Sequence, residues 1–204
     1  MRTITKTINL YQYSELSQKA KEKVLSDLHD INTDYDWYDF IFDDFMERCE
    51  NLGITVKYSD IEFSGFCSQG DGACFTTDFI DIKKIIEVLK IEFRNDFLKN
   101  LFIDYFDTYK IIKISNYYSH EYTVAVHYED EFNYNHGGSY KRIADYLERK
   151  GEEIENKLES LKNQLCRKLY SDLQNEYEYL TSEEAILETI EANEYEFTEE
   201  GEIY

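Results

Sequence analysis

The chain has 204 residues and a formal charge of −21, from 43 Asp and Glu against 22 Lys and Arg, so its average surface repels nucleic acid and anionic membrane. Aromatic residues make up 16%, with 19 Tyr and 13 Phe, which excludes a disordered chain; the length suits one domain, or one domain with an appendage. Proline is absent, which excludes a Pro-rich linker, and no apolar run reaches the roughly 20 residues that cross a bilayer.

Four cysteines, Cys49, Cys67, Cys74 and Cys166, form no C-x-x-C pair, and MRTITKTINL does not read as a secretory leader. A soluble protein in a reduced cytosolic setting is expected.

Residues 3–10, TITKTINL, alternate as a strand does. Over 17–29 the spacing predicts a helix behind a Ser17 cap, with Ala20, Val24, Leu25 and Leu28 on one face. A second helix is expected from Asp34, burying Trp37, Phe40, Ile41, Phe45, Cys49 and Leu52 and stopping at Gly53. Residues 54–66 and 73–80 read as two long strands, with Gly65, Gly70 and Gly72 supplying the turn between them.

A third helix, roughly 81–106, presents Ile82, Ile85, Ile86, Leu89, Phe93, Phe97 and Leu101 to a core, and KIIKISNYY with EYTVAVHYE forms a further strand pair. After the loop FNYNHGGS comes a helical tract from about 140 to 180, seamed by Leu147, Ile154, Leu158, Leu161, Leu165 and Leu169. Unbroken, it would be about 60 Å long at ~1.5 Å per residue; Gly151 is the place for a bend or division. Thr181 and Glu184 fit a capping box for a short helix ending near Ala192, and EYEFTEEGEIY fits a hairpin turning at Gly201.

These elements predict an α+β fold: a mostly antiparallel sheet with helices on one face and a long C-terminal helical segment. The expected division is a head over 1–138 and a segment over 139–204 that packs on it or projects from it. The leucine seam has two readings, a helix pair within the chain or a homodimer through the 147–180 helix.

Two stretches carry the candidate site residues. Asp36, Asp39, Asp43, Glu47 and Glu50 fall at steps of three, four, four and three, which places them on one helix face, and no Lys or Arg occurs between Lys23 and Arg48. Such carboxylates recur about every 5 Å along a helix, comparable with the ~3.4 Å charge spacing of one DNA strand. A second block, Asp172 to Tyr204, holds twelve acids and no Lys or Arg. The bland reading of both is a solvated face; the sharper one is a ligand for a basic cleft, or a nucleic-acid mimic, with Tyr117, Tyr118 and His120 of YYSHEY as aromatic contact residues.

The stretch SGFCSQGDGACFTTDF raises a thiol alternative. Asp71-Gly72-Ala73-Cys74, followed by His127-Tyr128, resembles the Asp-Gly-x-Cys and His-Tyr elements of ovarian-tumour-type cysteine proteases. That resemblance implies Cys74 as nucleophile, His127 as base and Asp71 as a site-shaping residue. In that family, however, the cysteine opens a helix, whereas Cys74 precedes the strand-like CFTTDFI, and His127 follows after only 53 positions. A buried, inert Cys74 beside a glycine turn is the preferred reading.

The four histidines, 29, 120, 127 and 136, share no metal spacing, and QGDG lacks the Lys and Ser or Thr of a phosphate loop, so no metal or cofactor is expected. A third alternative is a small-molecule sponge in which loop 67–73 and YYSHEY line a nucleotide pocket, helped by Lys83, Lys84 and Lys113.

YSELSQKAKEKV (13–24), DWYDFIFDD, FSGFCSQGDGACF (63–75), YYSHEYTV (117–124) and NEYEFTEEGEIY (193–204) together resemble a widespread set of small accessory proteins encoded by bacteriophages, some labelled antitoxin-like. The resemblance implies phage origin. Small acidic phage proteins are frequently inhibitors of host immunity, anti-CRISPR proteins among them, which implies a non-enzymatic inhibitor acting in the host cytoplasm. Its partner would be a basic host protein, a nucleic-acid-binding effector, with no direct contact to nucleic acid or membrane.

Overall fold

The computed structural model describes residues 1–3, 7–106, 108–128 and 139–204. Six α-helices and six short strands fall within these residues: α1 (Gln18–Asp27), α2 (Asp39–Leu52), β1 (Ile54–Thr55), β2 (Ile61–Ser64), β3 (Gly72–Phe75), β4 (Phe79–Ile80), α3 (Ile82–Val88), α4 (Asp96–Tyr105), β5 (Tyr109–Lys113), β6 (Val124–Tyr128), α5 (Ser139–Leu180) and α6 (Glu183–Ala192). The fold is α+β, and its strands pair antiparallel as β1 with β4, β2 with β3, and β5 with β6. Among the described residues, no helix is long and apolar enough to cross a membrane.

Compactness divides the chain into two units, Met1–Tyr38 with Gln174–Tyr204, and Asp39–Leu173. The expected boundary at 138 and the loop FNYNHGGS, apart from Ser139 at the start of α5, fall within 129–138, outside the described residues.

In the first unit, Ser17 caps α1 by accepting from the Ala20 N–H at 3.3 Å. Leu16, Ala20 and Val24 pack with Ile186 and Ile190 of α6 and with Phe197 into one apolar cluster, while Leu25 and Leu28 border it. The chain ends meet through a bridge between Tyr11 and Phe197, and Phe197 also bridges Ile203 across the turn at Gly201. The strand expected at 3–10 is not formed at 1–3 or 7–10; residues 4–6 lie outside the described set. Ser182 rather than Thr181 caps α6, accepting from Ala185, because Thr181 turns its hydroxyl back to the Tyr177 carbonyl and so finishes α5.

The second unit differs from the sequence expectation mainly where side chains interrupt regular backbone. α2 begins at Asp39, not Asp34, and its buried side is Ile41, Phe42, Phe45 and Cys49; Phe40 is 52% exposed. Gly53 ends the helix in the left-handed region at φ 87°, as its residue type allows.

The two long strands are each broken. Residues Tyr58–Asp60 form a 3-10 turn between β1 and β2. Between β3 and β4, buried Thr77 donates to the Thr55 carbonyl and exchanges both backbone hydrogen bonds with Ile111, at 3.0 and 3.1 Å. One residue thus joins β1 and β4 through its hydroxyl and β5 through its backbone, at a place where alternation alone predicts a continuous strand.

The helix expected at 81–106 is two helices. Asp81 caps α3, Asn95 caps α4, and Lys90 between them takes a φ of 51°, which turns the chain. Phe97 is exposed, whereas Phe102 and Phe106 stack at 4.4 Å in the core.

α5 is a continuous 42-residue helix. Gly151 does not divide it: an added Cβ would lie 3.1 Å from the Phe106 ring, so the glycine admits that ring against the helix. Leu147, Ile154, Leu158, Leu165, Leu169 and Leu173 are buried within the chain itself, each contributing on the order of 1.5–3 kcal/mol.

Candidate functional site

α2 presents two chemically distinct sides. With 100° per residue, Ile41, Phe42, Phe45 and Cys49 share the buried side, and Asp39, Asp43, Glu47 and Glu50 share the opposite one, where all four are exposed. Asp39 accepts from the Tyr58 hydroxyl at 2.5 Å and Glu50 from the Thr55 hydroxyl at 3.2 Å. Among the described residues none of the four forms a salt bridge. Arg48, the one base of the helix, is directed to Asp172 at 3.3 Å, and the Lys84 ammonium donates to the Glu50 carbonyl, not to its carboxylate. Asp36 departs from the expectation. It precedes the helix, belongs to the first unit, and accepts from the Tyr38 hydroxyl at 3.2 Å.

The glycine block and YYSHEYTV, separated by some forty residues in sequence, are in direct contact. A Cβ on Gly72 would lie 2.5 Å from His120 Cβ and 3.0 Å from the Ser119 carbonyl oxygen, and one on Gly70 would lie 2.7 Å from the Tyr118 ring. Glycine is required at 72 because backbone there meets backbone. Asp71 shapes the same loop by accepting from the N–H groups of Cys67 and Ser68 at 2.8 and 2.5 Å.

Above the loop, Tyr117, Tyr118, His120 and Tyr122 follow one another ring to ring at 4.9, 5.7 and 5.8 Å. Tyr117 is 82% and Tyr122 64% exposed. His120 caps the 3-10 turn Glu121–Thr123: its Nδ1 accepts from the Tyr122 N–H at 3.2 Å, and its carbonyl accepts from the Thr123 hydroxyl at 2.7 Å.

Cys74 lies in β3 and is 1% exposed. Its polar neighbour is the Lys113 ammonium, 3.5 Å from Sγ, which also pairs with Glu62. That pairing holds the Glu62 carboxyl below the usual carboxylate range. His127 is exposed on β6 opposite Lys110, three rungs, or about 10 Å of strand, from the Val124–Lys113 rung. Among the described residues no hydrogen bond joins Cys74 to His127, so the nucleophile–base pair that the protease resemblance implies is not assembled. Of the lysines named for a nucleotide pocket, Lys113 is engaged by Glu62 and Lys84 by the Glu50 carbonyl.

Cys166 is buried on α5, and its thiol is pushed up to about 12, first by burial and then by the neighbouring Cys74. Burial likewise pushes the Cys49 thiol up to about 12. Among the described residues no group of His, Cys, Asp or Glu side chains is arranged to hold a metal.

One assembly went unread in the sequence. Lys162 is 0% exposed, and its ammonium donates to the carbonyls of Glu121 and Val124 at 2.9 and 2.6 Å and to Glu159 Oε1 at 2.5 Å. Glu159 Oε2 accepts from the Val126 N–H at 3.0 Å. Two side chains of α5 therefore occupy the outward donor and acceptor of β6, in place of a further strand. A signal was present: Lys162 stands four residues after Leu158 and three before Leu165, in the register of the buried seam.

Residues 37–183, a span that includes the whole second unit, match the family model described as Domain of unknown function (DUF8835). The chain belongs to that family. No curated protein and no solved structure matches it. The α2 face, the glycine loop, the aromatic row and the Glu159–Lys162 pair all lie inside the matched residues, whereas α1 and most of α6 lie outside.

Proposed function

We propose that this chain is a non-enzymatic binding protein whose α2 face docks on a basic surface of another protein. The observation that carries this reading is the set of four exposed carboxylates, Asp39, Asp43, Glu47 and Glu50, none consumed by a salt bridge of the described chain. Like charges at these steps cost the isolated helix a few tenths of a kcal/mol per pair, so folding alone does not favour them. Phe40, half-exposed on the same helix, supplies apolar area of the kind that carries affinity, while the carboxylates supply steering. The exposed Tyr117 and Tyr122 offer further amphipathic contact area.

The phage resemblance extends the proposal to its setting: an inhibitor of a host defence protein, occupying a basic nucleic-acid-binding cleft in the host cytoplasm. A pull-down from host lysate tests it. A partner retained at low salt and released at high salt is expected, because charge complementarity is screened. Reversing Asp39, Asp43 and Glu47 to Lys should abolish capture while circular dichroism stays unchanged; capture by the folded reversed protein would reject the α2 face as the docking surface.

A further inference from the structure

The first unit holds a groove of about 720 Å³ between the segment before α1 and the end of α6, within the roughly 300–1,000 Å³ of small-molecule sites. Half-buried Tyr13, Tyr195 and Leu187 give it an aromatic and aliphatic lining, and exposed Glu191, Glu194 and Glu196 line it as well. None of these three carboxylates forms a salt bridge among the described residues.

α6 also ends here without a basic residue in its last turn, so the negative end of its dipole adds to the carboxylates. The Tyr13 ring already attracts a cation: Lys21 lies 5.5 Å from its centre, with its ammonium held by the Ser14 carbonyl at 3.0 Å.

Carboxylates and a helix C-terminus select ammonium groups, tyrosine faces select the same charge, and Leu187 with the ring edges selects methylenes between them. A bare metal ion would use the carboxylates alone, and an anion is repelled. We propose that this groove binds a linear aliphatic polyamine, laid along the lining with its ammonium groups at Glu191, Glu194 and Glu196. The site lies outside the family-matched residues and does not rest on the α2 reading.

Spermine titrated into the full chain at about 0.15 M ionic strength, where distant charges are screened, tests the proposal, with amide shifts as readout. Saturable shifts at Tyr13, Glu191 and Tyr195 are expected, with Glu191→Gln and Glu194→Gln each weakening binding about tenfold and the α2 reversal leaving it unchanged. These residues are exposed, so the variants fold. Equal displacement by Mg²⁺ at matched ionic strength, tighter binding of a lysine-rich peptide than of spermine, or no effect of the two glutamine variants would overturn it.

Discussion

α2 and α5 are both amphipathic and rich in charge, yet they use that charge in opposite ways. On α5 many charges within the second unit are paired: Lys162 with Glu159, Lys150 and Lys157 with Glu153, Arg167 with Glu121, and Lys168 with Asp172. On α2 the carboxylates of one whole side face solvent, and the only base points to Asp172. Charge count does not separate structure from function in such a molecule. Whether a charge has a partner within the chain is the distinction on which the α2 proposal rests.

The comparison breaks most readily at Lys162. Lys162→Ala leaves the Glu121 and Val124 carbonyls without their donor inside the fold, and a loss of about 3–5 kcal/mol is expected from urea unfolding. Lys162→Met retains the packed stem and should lose less. If the alanine variant unfolds like wild type, the ammonium is not the strap of β6. Next in size is Gly72→Ala, where the added methyl meets His120 and Ser119; about 1–3 kcal/mol of overpacking cost is expected, with amide shifts concentrated at 117–123.

Acid sharpens the contrast. The Glu121 carboxyl, which burial alone would raise, is held below its usual value by Arg167, and Glu153 is lowered chiefly by Lys150. A depressed folded value means stability that is fully present above the unfolded Glu value of about 4.3 and lost as pH falls through the folded one. The stability difference between wild type and Glu121→Gln should therefore be constant near neutrality and shrink below about pH 4. A smaller effect is expected at Glu194, whose φ of 52° follows the end of α6: Glu194→Gly should stabilise by up to about 1 kcal/mol, read from the unfolding midpoint. The smallest belongs to α2 itself, where Asp43→Lys should change stability by no more than about 0.5 kcal/mol.

Local signals predicted local outcomes. Ser17 as a cap, Gly53 as a stop, a strand pair from KIIKISNYY and EYTVAVHYE, shortened to 109–113 with 124–128, and the length of α5 follow from capping chemistry, left-handed glycine and side-chain period, each of which acts within a few residues. The segregation of acids on α2 was legible for the same reason, since a helix face is fixed by spacing once the helix exists, although Asp36 was misplaced because the helix starts later than its acidic, cap-like residues suggest.

Tertiary structure decided the rest, and in each case a distant group overrode a local preference. Thr77 broke the strand expected at 73–80 by bonding Thr55 and Ile111; Gly151 stayed helical with the Phe106 ring against its open side. Lys113 rather than His127 reached Cys74, and Lys162 found carbonyls on an edge strand. Described residues of the first 38 joined the last 31 through apolar packing, the Tyr11–Phe197 bridge and the hydrogen bonds of Asn32 with Leu180 and Thr189. No spacing rule encodes such meetings, because they depend on which buried groups must find partners once the core has closed.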